Sequence, residues 1–443
     1  MAKLSRRRLL QITTQVGAIA ATGGWTVPAR RALATSSTPV ADDASVLDVA
    51  IIGGGVSGAY VTWRLLGPEA NTSPLLRRLR AERGGGPLRV GLFEQSERIG
   101  GRLWSVPPPG MPHLRAELGG MRFKNDQPLL VNLVRQLNLE VIPFPSGDEN
   151  NLYYLRGHRF RRAAEPKAVP YFLPERFQGL DSDAIVLAAI QQFVPDAGAL
   201  DVEGWDEVRR EGTYDGIPLS SLGFGYLMNL ALEQEAYAYV RDAAGYSDFT
   251  ANVNAAELMF EWAVDFSSNP TYHTLRDGFQ ALPLALATGA EAAGAMIRRG
   301  HQLRSLTQGD VKGEAAPTFE LAFTVDERSE PVRHRAHHVV LALPRRAIEL
   351  LDEDSVIFTD ASFRTLLETV RPVPAAKAFL GYDEPWWRSL GISSGRSITD
   401  LPIRQTYYFG TEGEQPGATP RTAPPCSWQP TTTRRMRAIG RDS

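Results

Sequence analysis

Three sets of residues in this 443-residue sequence have the types and spacing to do chemistry. The first is Gly53-Gly54-Gly55-Val56-Ser57-Gly58, a G-x-G-x-x-G pattern between the apolar run Asp48 to Ile52 and a helical stretch from Ala59 to Leu66. With a strand before it and a helix after it, this is a dinucleotide-binding turn. Gly53 permits the tight bend, Gly55 lets the backbone approach a pyrophosphate, and Gly58 lets helix and strand pack closely. The phosphates then lie on the helix N-terminus, at Val56 and Ser57. Glu94 ends a second apolar run, Leu88 to Phe93, and is placed to accept hydrogen bonds from an adenosine ribose. The second set is a pair of segments that put an arginine after two glycines: Arg98-Ile99-Gly100-Gly101-Arg102 and Glu117-Leu118-Gly119-Gly120-Met121-Arg122-Phe123. A guanidinium is a planar fork that bonds two oxygens together, although Arg122 could also stand solvated at a strand edge. The third is Lys377, mid-strand in the apolar run Val373 to Tyr382. A buried ammonium there is costly unless it is paired or solvated by ordered water, the other reading being a lysine that guards an edge strand.

The elements that must hold these residues suggest an α/β fold. Asp48 to Ile52 reads as a buried parallel strand, and the acid that should follow about 20 residues later is displaced by a polar, basic insertion, Gly67 to Pro87, expected to be a loop. Helical sequence dominates from Gln127 to about Ala263, with apolar residues at helical spacing around Leu129, Leu130, Leu133 and Leu137, and again at Ile185, Leu187 and Ile190. Hydrophobic residues at 43% and charged residues at 22% are ordinary for a globular protein, which argues against disorder and against a multi-span membrane protein. A formal net charge of -2 gives no electrostatic footprint for nucleic acid. One cysteine, Cys426, excludes intrachain disulfides, cysteine-based zinc sites and iron-sulfur clusters, so redox chemistry here needs an organic cofactor. At the N-terminus, Ser5-Arg6-Arg7-Arg8-Leu9-Leu10 precedes a mildly apolar stretch from Leu9 to Val27 that ends near Ala32-Leu33-Ala34. This reads as a twin-arginine signal peptide over 1–34, too polar and interrupted for a stable membrane span.

The order G-x-G-x-x-G, then Glu94, then R-x-G-G-R resembles the FAD-binding signature of the flavin amine oxidases, and Glu117 to Phe123 is similar to the G-x-M-R element of the L-amino acid oxidases. Further matches are Leu275 to Pro283, Ile297 to Leu306, Val339 to Pro344, Val373 to Tyr382 with Trp386-Trp387, and Ser393 to Tyr408, the last peculiar to L-amino acid oxidases. The resemblance runs from about Val46 to Phe409 and implies the following roles. Gly101 and Arg102 lie against the FAD pyrophosphate, and the backbone around Leu303 meets the adenine. Gly119, Gly120 and Met121 pass beside the isoalloxazine, Arg122 clamps the substrate α-carboxylate, and Lys377 holds a water next to flavin N5. The implied fold is a discontinuous Rossmann-like FAD-binding domain (46–110 and 264–345), a flavin and substrate segment (111–126), a helical subdomain (127–263) and a mixed-sheet substrate domain (346–411), after a linker at 35–45.

The implied function is oxidation of an L-amino acid by O2 with FAD as cofactor, in an exported protein. Its macromolecular partners would be the twin-arginine export machinery and a second copy in a homodimer. The alternatives are an amine or polyamine oxidase, or a related flavin monooxygenase, acting on a substrate without a carboxylate, and an inactive FAD-binding remnant. The family continues with an apolar strand carrying a second carboxylate-binding tyrosine, then a G-E motif and a helix facing the flavin. None of these is expected here. Residues 412–443, rich in Pro, Thr and Arg, read as a disordered tail. Read out of frame from the third base of the Pro424 codon, residues 425–433 are compatible with A-L-L-M-A-T-Y-N-D, which suggests a frameshift and a chain that is a poor oxidase as written.

Overall fold

The structure is a computed structural model. It describes residues 46–408, apart from 68–72, 83, 113, 146, 166, 247–248, 250–252, 267–270, 310–317, 326–329, 374 and 383–384, together with a strand at 435–442. The segments read above as a signal peptide (1–34), a linker (35–45) and a frameshifted stretch (425–433) lie outside the described residues.

One six-stranded sheet draws on two distant parts of the chain. β1 (Leu47–Ile52) and β2 (Val90–Phe93) combine with β12 (Met296–Arg298), β13 (His301–Gly309), β14 (Thr318–Val325) and β15 (Val332–Leu341) in the order β12-β2-β1-β15-β14-β13. β1 pairs in parallel with both β2 and β15, and β14 runs antiparallel to β13 and β15. All six residues of β1 are buried, as its near-continuous apolar run requires of a strand covered on both faces. Val49 and Ile51 join one cluster with Leu76, Leu92 and Ala287, while Ala50 and Ile52 join another with Phe93, Leu306 and Phe323. This α/β sheet with discontinuous strands is the expected fold class. The insertion expected to be a loop instead contains a helix, Pro74–Glu82, because Leu76 and Leu79 fall on one face and bury against Leu88 and Ile99.

A second six-stranded sheet has the order β16-β19-β18-β17-β7-β8. Its members are β7 (Leu152–Leu155), β8 (His158–Arg161), β16 (Ala375–Tyr382), β17 (Arg396–Thr399), β18 (Gln405–Tyr408) and β19 (Arg435–Asp442). Two expectations are corrected here. The helical stretch from 127 is interrupted by β6 (Val141–Pro143) and by the β7–β8 hairpin. That hairpin forms because Arg156 and Gly157 both adopt positive φ, 47° and 81°, in a two-residue turn whose twist matches the flanking strands. The tail expected to be disordered supplies β19, antiparallel to both β16 and β18. Overall tail composition was a poor guide to 435–442, where Met436, Ala438 and Ile439 stand among arginines and two strand edges offer backbone partners.

Smaller ladders complete the scaffold. β11 (Tyr272–Leu275) lies between β5 (Phe123–Lys124) and β6; β3 (Ser105–Val106) pairs with β4 (Ala116–Glu117); and β9 (Thr213–Tyr214) pairs with β10 (Ile217–Pro218) through an Asp215-Gly216 turn. The helical body runs from Ser182 to Phe260, and three of its helices carry the side-chain caps their sequence dictates. Asp181, Asp201 and Asn254 accept from the backbone N–H of Ala184, Gly204 and Glu257. Its core includes Trp205, Phe224, Tyr239 and Ile185, all fully buried. No helix among the described residues is long and apolar enough to cross a membrane.

One acid beside this helical core ties stability to pH. Burial raises the Glu165 carboxyl from 4.5 to about 7, against the hydrogen bond donated by Tyr239 and with Asp181 and Asp183 adding repulsion. The folded state therefore binds this proton more tightly than the unfolded chain, so the stabilisation is fully present below about pH 4.5 and is lost as pH rises through 7. Glu165→Gln is expected to remove a pH-dependent loss of about 3 kcal/mol over that window. Denaturant midpoints measured from pH 4.5 to 7.5 check this, and identical slopes for both proteins would refute it.

Candidate active site

The dinucleotide end is built around Glu94. Its Oε2 accepts from Gly54 N at 2.7 Å, and Oε1 accepts from Ser96 N and Oγ at 2.9 and 2.7 Å, so the acid fixes the glycine turn as well as the end of β2. Gly53 adopts φ +109°, and a Cβ at Gly58 would stand 1.9 Å from the Gly53 carbonyl oxygen. The helix that follows, Val56–Leu66, has Gly55 at its N-cap with no side-chain cap and no acidic residue in its first turn. A Cβ at Gly55 would meet nothing closer than Gly101 Cα at 3.9 Å. The Arg98 segment lies along this turn. Gly100 N donates to Gly54 O at 2.8 Å, Arg98 Nη2 donates to Gly101 O at 2.7 Å, and Gln280 Nε2 donates to Ile99 O at 2.7 Å. The Arg102 side chain is exposed and has no ion-pair partner among the described residues. An uncapped helix N-terminus, an open glycine backbone and an unpaired guanidinium are what a pyrophosphate would need, and these residues could hold one. Leu303 has its side chain in the core beside a β-bulge of β13, whose first residue, His301, donates its N–H to Glu94 O at 2.9 Å.

The segment Glu117 to Arg122 links this end to a second centre. Gly120 N donates to Arg102 O at 3.1 Å, and Glu117 accepts from Ser105 Oγ and from Phe279 N at 2.8 Å. Burial raises the Glu117 carboxyl, and those two donors oppose the rise. Lys377 Nζ, reaching from β16, donates to Gly119 O at 2.6 Å and Glu117 O at 3.2 Å, with Met121 Sδ at 3.6 Å. Lys377 thus meets the carbonyl row of the glycine segment; burial lowers its pKa, and Tyr407 and Glu117 partly restore it.

Arg122 lies among aromatic rings. Its Cζ is 4.3 Å from the Tyr272 ring centroid, 5.7 Å from Phe144 and 5.9 Å from Tyr407, and Nη1 donates to Tyr407 Oη at 3.4 Å. No carboxylate pairs with it among the described residues. The tyrosine expected to be missing belongs to the strand after Phe409; the tyrosine beside Arg122 here is a different one, Tyr407 of β18, which packs with Phe144, Met121 and Tyr272.

Sequence reasoning also overlooked Arg396 and Tyr246. Arg396 Nη1 donates to Tyr246 Oη at 3.3 Å and to Gln405 Oε1 at 3.1 Å, and Tyr407 donates to the same Gln405 oxygen at 3.0 Å. Tyr246 Oη and Tyr407 Oη are 3.4 Å apart. Burial pushes the Tyr407 phenol up, but the guanidiniums of Arg396 and Arg122 outweigh it and the net shift is downward. Arg396 and Tyr407 fall within the Ser393 to Tyr408 segment, so the resemblance marked their neighbourhood. Nothing local marks Tyr246.

A glycine turn at the end of a parallel strand, a discontinuous α/β sheet and a second sheet carrying Lys377 and Tyr407 define a two-part dinucleotide-binding protein. A family model for flavin containing amine oxidoreductases matches residues 77–428, and the chain belongs to that family. Its cofactor is FAD. Among similar proteins, aplysianin-A of Aplysia kurodai is 26% identical over 82% of this chain and 64% of its own length. Achacin of Lissachatina fulica is 24% identical over 82% and 66%. An L-amino-acid oxidase of Siganus canaliculatus is 23% identical over 72% and 57%. The chain thus spans about two thirds of the length of the first two relatives. Cyclohexylamine oxidase from Brevibacterium oxydans IH-35A shares the fold, with a TM-score of 0.59 at 16% identity, covering 90% of this chain and 75% of that one.

Proposed function

We propose that this protein is an FAD-dependent L-amino acid oxidase, and the observation that carries the reading is Arg122. A guanidinium lined by Tyr272, Phe144 and Tyr407, with no carboxylate partner among the described residues, is a receptor for an anion of the substrate. When bound, FAD would accept a hydride from the substrate Cα, giving an imino acid that water converts to a keto acid and ammonia, while O2 is reduced to hydrogen peroxide. The chain's own residues position the reactants. Arg122 and the Tyr407 hydroxyl would fix the carboxylate, the aromatic walls would exclude water, and Lys377 would hold the Glu117 to Met121 backbone in place. No side-chain base is needed if the amine enters neutral. Glu94, Gly55, Gly101 and Arg102 would hold the nucleotide, with Val56, Ser57 and Gly58 offering backbone donors to phosphate.

The test is peroxide release from a panel of L-amino acids against their decarboxylated amines. Equal turnover of the amines would overturn the reading and favour an amine oxidase, the activity named for the Brevibacterium neighbour. Lys377 would also place a water on the oxygen-reacting side of the flavin, as the family resemblance implies, so Lys377→Met is expected to lower turnover more at limiting oxygen than at limiting amino acid, read from initial rates with each varied in turn; the reverse ranking would remove Lys377 from that side. Export by the twin-arginine route, resting on Arg6, Arg7 and the stretch to Ala34, and a homodimer belong to the same proposal.

A further inference from the structure

Two guanidinium groups, not one, face the phenol of Tyr407. Arg122 reaches it directly, and Arg396 reaches it through Tyr246 and through Gln405. Most other arginines with strong contacts are paired with acids: Arg156 with Glu235 at 2.7 Å, Arg209 with Glu257 at 2.9 Å, Arg345 with Glu349 at 2.6 Å. Neither Arg122 nor Arg396 has a carboxylate partner among the described residues. The partners of the Arg396 guanidinium among the described residues are neutral: Nη1 donates to Tyr246 and Gln405, and the Tyr407 phenol lies within hydrogen-bonding reach. Asp183 is near enough to be influenced by Arg396 but forms no ion pair with it. Two like charges that are each half-buried and that repel one another are unfavourable unless anions join them.

We propose that Arg122 and Arg396 form a two-carboxylate site, so that the preferred substrate is an acidic L-amino acid, with Arg122 on the α-carboxylate and Arg396 on the side-chain carboxylate. The assignment of Arg122 rests on the oxidase reading above; that of Arg396 rests on its having no carboxylate partner among the described residues and on its connection to Arg122 through Tyr407. A neutral side chain in the same place would leave the Arg396 guanidinium half-buried with no anion, so the site rejects it by the cost of an unsatisfied charge. Tyr407, Tyr246 and Gln405 hold the two guanidiniums apart and set the spacing between them.

Calorimetric titration of the holoenzyme with glutarate and with butyrate separates the two arginines without turnover. The wild type is expected to bind glutarate at least ~30-fold more tightly than butyrate, as truncating one partner of a buried charge pair usually costs that much or more. In Arg396→Met the ratio should fall to near one, and Arg396→Lys, which keeps a charge on a similar stem, should retain part of it and guard against a folding defect. A wild-type ratio near one, or an unchanged ratio in Arg396→Met, overturns the proposal. Peroxide assays with L-glutamate and L-aspartate run alongside. Discrimination for glutarate without peroxide from any amino acid supports the two-carboxylate site and overturns the oxidase reading instead.

Discussion

Gly119→Ala is expected to give a protein that neither retains flavin nor folds with wild-type stability. A Cβ at Gly119 would stand 1.6 Å from the Arg102 carbonyl oxygen and 2.7 Å from its carbon, both backbone atoms, so no rotamer change can relieve the contact. The two strands of chain that must separate are those that carry the Arg98 to Arg102 segment and the Glu117 to Arg122 segment. Separation breaks the Gly120 N to Arg102 O hydrogen bond and moves the Gly119 carbonyl away from Lys377 Nζ. Overpacking against fixed backbone costs on the order of 3 kcal/mol or more, a large share of a typical domain's stability. The denaturation midpoint and the ratio of flavin to protein absorbance measure the outcome, and wild-type values for both would mean that the close approach does not exist.

Arg122→Met should raise the Michaelis constant for amino acids by about 30-fold to 1,000-fold or more while sparing flavin content. Truncating a charged partner typically removes about 2 to 5 kcal/mol of binding, with tenfold for each 1.4 kcal/mol. The contacts of Arg122 are ring faces and one phenol, none of which holds the glycine turn, so cofactor retention is independent of it. Methionine keeps the stem packed in the aromatic cage. Steady-state kinetics together with the visible spectrum decide, and an unchanged Michaelis constant would remove Arg122 from the substrate.

The parts of this molecule that were legible in sequence are those whose reasons are local. β1, the glycine turn and the helix after it follow from an apolar run, three glycines and an apolar helical stretch, and Glu94 follows from the end of the next strand. Lys377 was singled out because an ammonium among apolar residues needs acceptors, and the structure gives it two carbonyls. What was not legible depends on distant neighbours. Tyr246 meets Arg396 across 150 positions, and no pattern in either segment anticipates it. The strand at 435–442 was hidden by the composition of the residues before it, since strand formation there depends on edges supplied by β16 and β18. The helix at Pro74–Glu82 is not evident in the sequence because its charged residues mask the two leucines, Leu76 and Leu79, that bury one face.

The order of strands in the second sheet has a bearing on how the chain assembles during synthesis. β19 lies between β16 and β18, so both of those strands have an open flank until residues 435–442 have emerged from the ribosome. The β7–β8 hairpin forms locally, but the other edge of β7 must wait for β17, about 240 residues later. The nascent chain therefore carries exposed backbone ladders for most of its translation, a period in which they can pair with other chains.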